Sequence, residues 1–200
     1  MRWRDLQLGA DMSLRRTIAP TQVIMDAAEL RAHSRIDITD EDDLLDSYIA
    51  AATEMLETDI QRALLTQTWR LTLDRFPSDV IELRVCPVIA VTGVTYLDGA
   101  GDTQTLATSV YTTDTANEPG RITLKYGQTW PATYLQSNAV TVTFTAGYSS
   151  VLAVPELAKQ AVRMLVGHWF NNRETVQDKG MTTPYGYGAI VDRLRWAGYR

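Results

Sequence analysis

Residues 140–169 read VTVTFTAGYSSVLAVPELAKQAVRMLVGHW, and the fold class turns on the change of period inside this stretch. From Val140 to Thr145 apolar and polar residues alternate, the two-residue period of a half-buried strand. After Gly147 the alternation stops, and Pro155 stands at a position where a starting helix tolerates a missing N–H. From there to about Arg173, the residues Leu157, Ala161, Val162, Met164, Leu165, Val166 and Trp169 recur at helical spacing over an arc of roughly 200°. An arc that wide predicts a helix covered on two sides, either by another helix of the chain or by a neighbouring subunit.

Upstream, the β character extends back to Thr66. Threonine makes up 17 of the 82 residues from Thr66 to Gly147, alternation prevails and turn signals recur. The predicted strands are Thr68 to Asp74, Val80 to Arg84, Ala90 to Leu97, Val110 to Thr113, Arg121 to Leu124 and Val140 to Thr145. Turns are expected at Asp98 to Asp102 and at Glu118-Pro119-Gly120. Strands this short suit a sandwich or barrel-like sheet better than a parallel one. Before Thr66, Leu44, Leu45, Tyr48, Ile49, Ala52, Met55, Leu56 and Ile60 define an amphipathic helix from Thr39 to about Ala63. Thr39 is its expected N-cap, Asp42 completes a capping box, and Asp40, Glu41 and Asp43 complement the helix dipole. Val23, Ile24, Ala27 and Leu30 predict a short helix from Thr21 to about His33. Residues 1–16 are Arg-rich and aperiodic, reading as a flexible arm with Met12 a second candidate start. At the other end, Gly180 to Gly188 reads as a flexible aromatic linker and Ala189 to Trp196 as a short helix. The expected fold is α+β: an antiparallel helical bundle (17–65 and 148–178), an inserted antiparallel β domain (66–147), and a flexible tail (179–200).

The formal charge of -5 over two hundred residues disfavours broad nucleic-acid coating. Its distribution says more, since residues 36–62 hold nine acidic groups and one basic, whereas 155–200 hold seven basic and four acidic. The single cysteine, Cys86, rules out an internal disulfide, and no Cys/His cluster suggests zinc. No apolar run approaches the ~18 residues that span a bilayer, and Met1 to Ala10 carries charges where a signal peptide is apolar, so a soluble chain is expected. His33 and His168 are the only histidines, and no nucleophile elbow, Walker loop or dinucleotide fingerprint is present. His168 shares a face with Leu157, Ala161 and Leu165, which reads as packing. The acidic run Asp37 to Asp43 lacks the alternating ligands and central glycine of a calcium loop, and Asp98 and Asp102 read as a plain hairpin. No enzyme, metal or cofactor is expected. Arg193, Arg195 and Arg200 interleave with Trp196 and Tyr199, a composition suited to a docking peptide.

Several blocks then fall in a familiar order: Val80 to Asp98, with Pro87-Val88 followed by alternating small and apolar residues ending in Tyr96-Leu97-Asp98; Trp130-Pro131; Ala146-Gly147-Tyr148; Val154-Pro155; Asn172-Arg173-Glu174; and Pro184-Tyr185-Gly186 through Gly198-Tyr199-Arg200. In these the chain resembles the head-tail connector, or adaptor, proteins of long-tailed double-stranded DNA bacteriophages and gene-transfer agents, in the branch with a β insertion. Residues before Arg16 have no counterpart, and Cys86 stands where the family more often has another residue. The resemblance implies a structural virion protein of the neck, present in the host cytoplasm during assembly. It implies a ring, expected to be dodecameric, beneath the portal protein. That ring extends the channel for passing double-stranded DNA, without sequence-specific binding, and offers a platform to the stopper or tail-terminator protein. No membrane is involved. The alternatives are a tail-completion or stopper protein on the tail side, and a small nucleic-acid-binding module.

On this reading Tyr185, Tyr187, Arg193, Arg195, Trp196, Tyr199 and Arg200 form a portal-docking tail, and deleting Gly186 to Arg200 is expected to leave the fold intact. Asp40, Glu41, Asp42, Asp43 and Asp46 form an acidic helix start that faces either a neighbouring subunit or the channel. Leu157, Ala161, Leu165, His168 and Trp169 form a helix-packing or oligomer face.

Overall fold

The computed structural model describes residues 12–34, 39–172 and 184–195. Backbone contacts divide them into two units. One combines the described residues up to Pro20 with Thr66–Gly147; the other combines Thr21–Leu65 with the described residues from Tyr148 onward.

The first unit is all β. Strands β1 (Met12–Ile18), β2 (Gln67–Leu73), β3 (Val80–Leu83), β4 (Val88–Leu97), β5 (Thr103–Thr105), β6 (Tyr111–Asp114), β7 (Gly120–Leu124) and β8 (Val140–Ala146) form two antiparallel sheets. The larger has the order β1-β2-β8-β4-β5 and the smaller β3-β7-β6. Neither closes on itself, so the barrel-like alternative is set aside: β1 and β5 are free edges of the five-stranded sheet. At its centre, β8 pairs with both β2 and β4, aligning Phe144 with Trp69 on one side and Val91 on the other. The alternation read in the sequence is the alternation of burial: Val140, Val142, Phe144 and Ala146 face inward while the threonines between them are partly exposed. Two register shifts, at Val88/Ala90 and Val91/Gly93, let the ten-residue β4 follow its shorter partner.

Strand β1 departs from the expected flexible arm. Its side chains are only half-buried or exposed, and what holds it is the ladder from Met12↔Leu73 to Ile18↔Thr68. An edge strand needs few apolar residues, so an Arg-rich segment can pair without carrying a strand signature. The turn at Asp98 forms as expected. The Asp98 carboxylate accepts hydrogen bonds from the Ala100 and Asp102 N–H groups and from Gln104 Nε2, while Gly101 takes φ +90. Those bonds, the one from Gln104 foremost, hold the carboxyl below its ordinary pKa.

Gly120 is the close contact of this unit. A Cβ there would stand 2.6 Å from Val88 Cγ2, so the backbone at the start of β7 lies against the side chain that opens β4. Gly120→Ala is therefore expected to destabilise the protein by about 1–3 kcal/mol through overpacking. Urea denaturation measures it, and unchanged stability would mean that Val88 turns aside freely.

The second unit is helical: α1 (Ala27–Ser34), α2 (Asp42–Ile60), α3 (Glu156–Asn171) and α4 (Tyr185–Leu194), with a 3-10 turn at Val151–Ala153. Leu45, Ile49, Ala52, Leu56 and Ile60 of α2 meet Ala158, Ala161, Val162, Leu165 and Val166 of α3 in one core that also takes in Ile24 and Leu30. The wide apolar arc of α3 is covered within the chain, by α2, α4 and α1. At the start of α2 the expected cap is corrected. The N-cap position is Glu41, no side chain caps it, and Thr39 contributes only its carbonyl oxygen, 3.1 Å from the Asp42 nitrogen. The far end of α2 is better held. Gln61 takes the left-handed conformation at φ 55, and the buried Glu57 carboxylate accepts the Leu64 N–H at 2.7 Å, satisfying a backbone donor in the core.

Candidate functional site

Cys86 is fully buried, and among the described residues no group of three or more His, Cys, Asp or Glu is placed to hold a metal ion. No described helix is long and apolar enough to cross a membrane. What the structure offers instead is surfaces, and the expected site residues distribute over three of them.

The first is the seat of α4. Pro184 precedes the helix, and its carbonyl accepts the Tyr187 N–H at 2.8 Å. Tyr187 is only 3% exposed, and its hydroxyl donates to Asp59 Oδ2 at 2.7 Å. Val191 is buried one turn further on, and Arg195 Nε donates to the Asp59 carbonyl at 3.0 Å. One residue of α2 thus anchors both ends of α4. Burial, reinforced by the bond to Asp59 and its charge, pushes the Tyr187 phenol far above its ordinary pKa. Gly186 allows close approach to α3, since a Cβ there would stand 2.9 Å from Met164 Cε.

This corrects the docking-tail expectation in part. Tyr187 is not a free anchor but a member of the helical core, and residues 185–188 belong to a helix rather than a linker. Arg193 and Arg195 are exposed, Arg195 already holding Asp59. Tyr185 opens α4, with its side chain outside the described set; Trp196, Tyr199 and Arg200 lie outside the described residues altogether. Asp59 was absent from the sequence reading. Nothing local marks it, because its partner is 128 positions away.

The second surface is the acidic start of α2. Asp42 Oδ1 lies 3.0 Å from Arg31 Nε of α1, so this carboxylate is spent inside the unit. Asp40, Asp43 and Asp46 are exposed, and Glu41 is half-buried at the cap position. Asp43 and Asp46, three residues apart, share one side of the helix.

The third is α3. Ala161 and Leu165 are core residues of the chain itself, whereas Leu157 is 42% exposed in the first turn and does not join them. Trp169 packs edge-to-face on Tyr48 of α2, centroids 6.0 Å apart, and partly buried His168 sits 3.4 Å from Asn172 Nδ2. The face expected to serve packing or oligomer contacts is thus largely used within the chain, which leaves Leu157 as its exposed apolar residue.

A cleft of about 180 Å³ opens where α4 meets the C-terminal end of α2. Ile60, Leu64, Pro155 and Leu194 make its apolar lining, and Arg62 and Arg193 also line it.

Comparison with known proteins places this arrangement. Residues 23–186 match the family model described as "Head completion protein". No curated protein matches the chain. Among solved structures it is similar to a chain in the neck of an empty gene transfer agent particle computed with C6 symmetry, 28% identical with a TM-score of 0.75. It is also similar to a chain in the virion of a native gene transfer agent particle, 27% identical with a TM-score of 0.76. A third, in the neck of a native particle computed with C12 symmetry, is 28% identical with a TM-score of 0.73. In each case the likeness covers 94% of this chain and 97% of the other.

Proposed function

The chain belongs to the head completion protein family, and from that premise we propose that it is a structural head-tail connector of the virion neck, working as a ring of identical copies. The observation that carries this reading is the end-to-end likeness to neck chains of gene transfer agent particles, which spans both the β unit and the helical unit. A ring beneath the portal continues the DNA channel and presents a platform to the stopper or tail. Nothing in such a role calls for catalysis. The work is done by complementary surfaces, and a net charge of -5 suits a conduit through which DNA must slide without adhering.

Portal docking is assigned to the end of the chain beyond α4, with Trp196, Tyr199 and Arg200 as anchors. Burial of Tyr187 narrows the docking element, because the first half of the expected tail is occupied in holding α4 on α2 and α3. Large aromatic and Arg side chains are the usual carriers of binding energy in such short elements.

The test is sedimentation of the purified chain with DNA-filled, tailless heads, counting copies per vertex. Joining at about a dozen copies, lost on deleting residues 196–200 while the thermal transition is unchanged, is the expected result. Binding to isolated tails instead of heads would move the protein to the tail side and overturn the docking assignment.

A further inference from the structure

Two exposed groups of unlike charge in the helical unit lie at opposite ends of α2. Asp40, Asp43 and Asp46 are exposed at its start, and none of the three has an ion pair among the described residues; Arg193 is exposed at its end, beside Arg62 in the apolar cleft. Nineteen helical residues separate the two groups by roughly 28 Å, beyond the reach of any side chain and well past the ~8 Å Debye length of physiological salt. Within one copy they cannot meet. Each has a local reason to exist, since acids suit a helix start and a cation suits the last turn of α4. Neither reason explains Asp46, which lies past the first turn of α2, or why Arg193 lines a cleft with an apolar floor.

We propose that the cleft receives the acidic start of α2 from a neighbouring copy, Asp43 and Asp46 reaching Arg193, so that copies associate head to tail. This rests on the connector reading above. A cyclic ring larger than a dimer needs two different, complementary surfaces on every copy, and this unit carries such a pair at its two ends. The cleft, at about 180 Å³, falls short of the ~300 Å³ at which small-molecule sites begin, and suits one or two inserted side chains. The occupant is therefore a second copy of this chain, chosen on complementarity of charge. The other orientation of the acidic turn, toward the channel, becomes an outcome of the test.

Full-length wild type, Arg193→Glu, the pair Asp43→Lys with Asp46→Lys, and all three changes together are each loaded on tailless heads and counted per vertex. All the positions are exposed, and circular dichroism verifies folding. Each single-sided reversal is expected to weaken loading about tenfold or more, as close interfacial charge pairs do, and the combination is expected to restore it to within about threefold. Restoration separates this contact from portal docking, because a reversed Arg193 lost from a portal contact would not be rescued by lysines on α2. A mixture of Asp43→Cys and Arg193→Cys chains should in addition form a disulfide-linked heterodimer in assembled necks, with fully buried Cys86 silent in the wild-type control. Loading of the single-sided variants at wild-type level, or a combination no better than they are, would overturn the proposal and return the carboxylates to the channel. Failure of wild type to join heads would overturn the connector reading and this contact with it.

Discussion

Replacing Tyr187 by alanine is expected to destabilise the helical unit by about 3–5 kcal/mol, the range for removing a buried aromatic side chain. The ring is 97% removed from solvent in the core that α4 shares with α2 and α3, and its hydroxyl bonds the Asp59 carboxylate at 2.7 Å. Tyr187→Phe isolates the second contribution. It keeps the ring and deletes a hydrogen bond to a charged group, for an expected loss of about 1.5–3 kcal/mol. Alanine leaves α4 as ten residues containing two glycines, too short and too poor in helix formers to persist without docking. A pH dependence follows from the same contact. The native phenol is held above its unfolded pKa, so its contribution is complete below about pH 10 and is lost as pH rises from there through the native value. Urea titrations at pH 8 and pH 11 should show a larger loss in wild type than in Tyr187→Phe, which keeps the smaller contribution of buried Tyr111; equal losses would exclude Tyr187 as a source. For the same reason, deletion from Gly186 onward is expected to unseat α4 along with the docking residues. Removing residues 196–200 alone tests docking cleanly.

Phe144→Ala is expected to cost about 3–5 kcal/mol in the β unit. Phe144 is fully buried at the middle of β8, the strand that joins β2 to β4, with Trp69 directly across one ladder and Val91 across the other. Deleting the ring opens a cavity where the sheet has hydrogen bonds on both sides and little freedom to collapse. Loss of near-ultraviolet circular dichroism from Trp69 should accompany the lower urea midpoint. Phe144→Leu, which fills most of the space, is expected to lose about 1 kcal/mol. A neutral alanine variant would mean that the sheet does not depend on this layer.

How far the sequence could be read varies along the chain for physical reasons. The apolar spacing of α2 was legible because the period is local: Leu45, Ile49, Ala52, Leu56 and Ile60 are the residues it buries. Six strands were legible from alternation and turn signals, most clearly β2, β3 and β8, whose burial alternates residue by residue. Strand β1 was not, since its stability comes from the β2 ladder rather than from its own side chains. Nor was β5, three exposed residues held by β4. Thr39 was a reasonable cap by residue type. Which residue caps depends on the path by which the chain enters the helix, and here the helix starts after Glu41.

The candidate site divides in the same way. Acid at one end of the helical segment and Arg at the other were visible as composition, as were the aromatic residues of the C-terminal segment. That Gly186-Tyr187-Gly188 forms a helix instead of a linker was not visible, because glycine argues locally against it and the deciding partner, Asp59, is 128 residues away. The α+β class and the order of the elements follow from the residues alone, because hydrophobic period and turn chemistry act over a few positions. Which exposed-looking residues are spent inside the chain depends on packing between distant elements. Tyr187 in the core and the α3 face against α2 and α4 are long-range pairings, and these are settled by which surfaces fit and exclude water once the elements have formed.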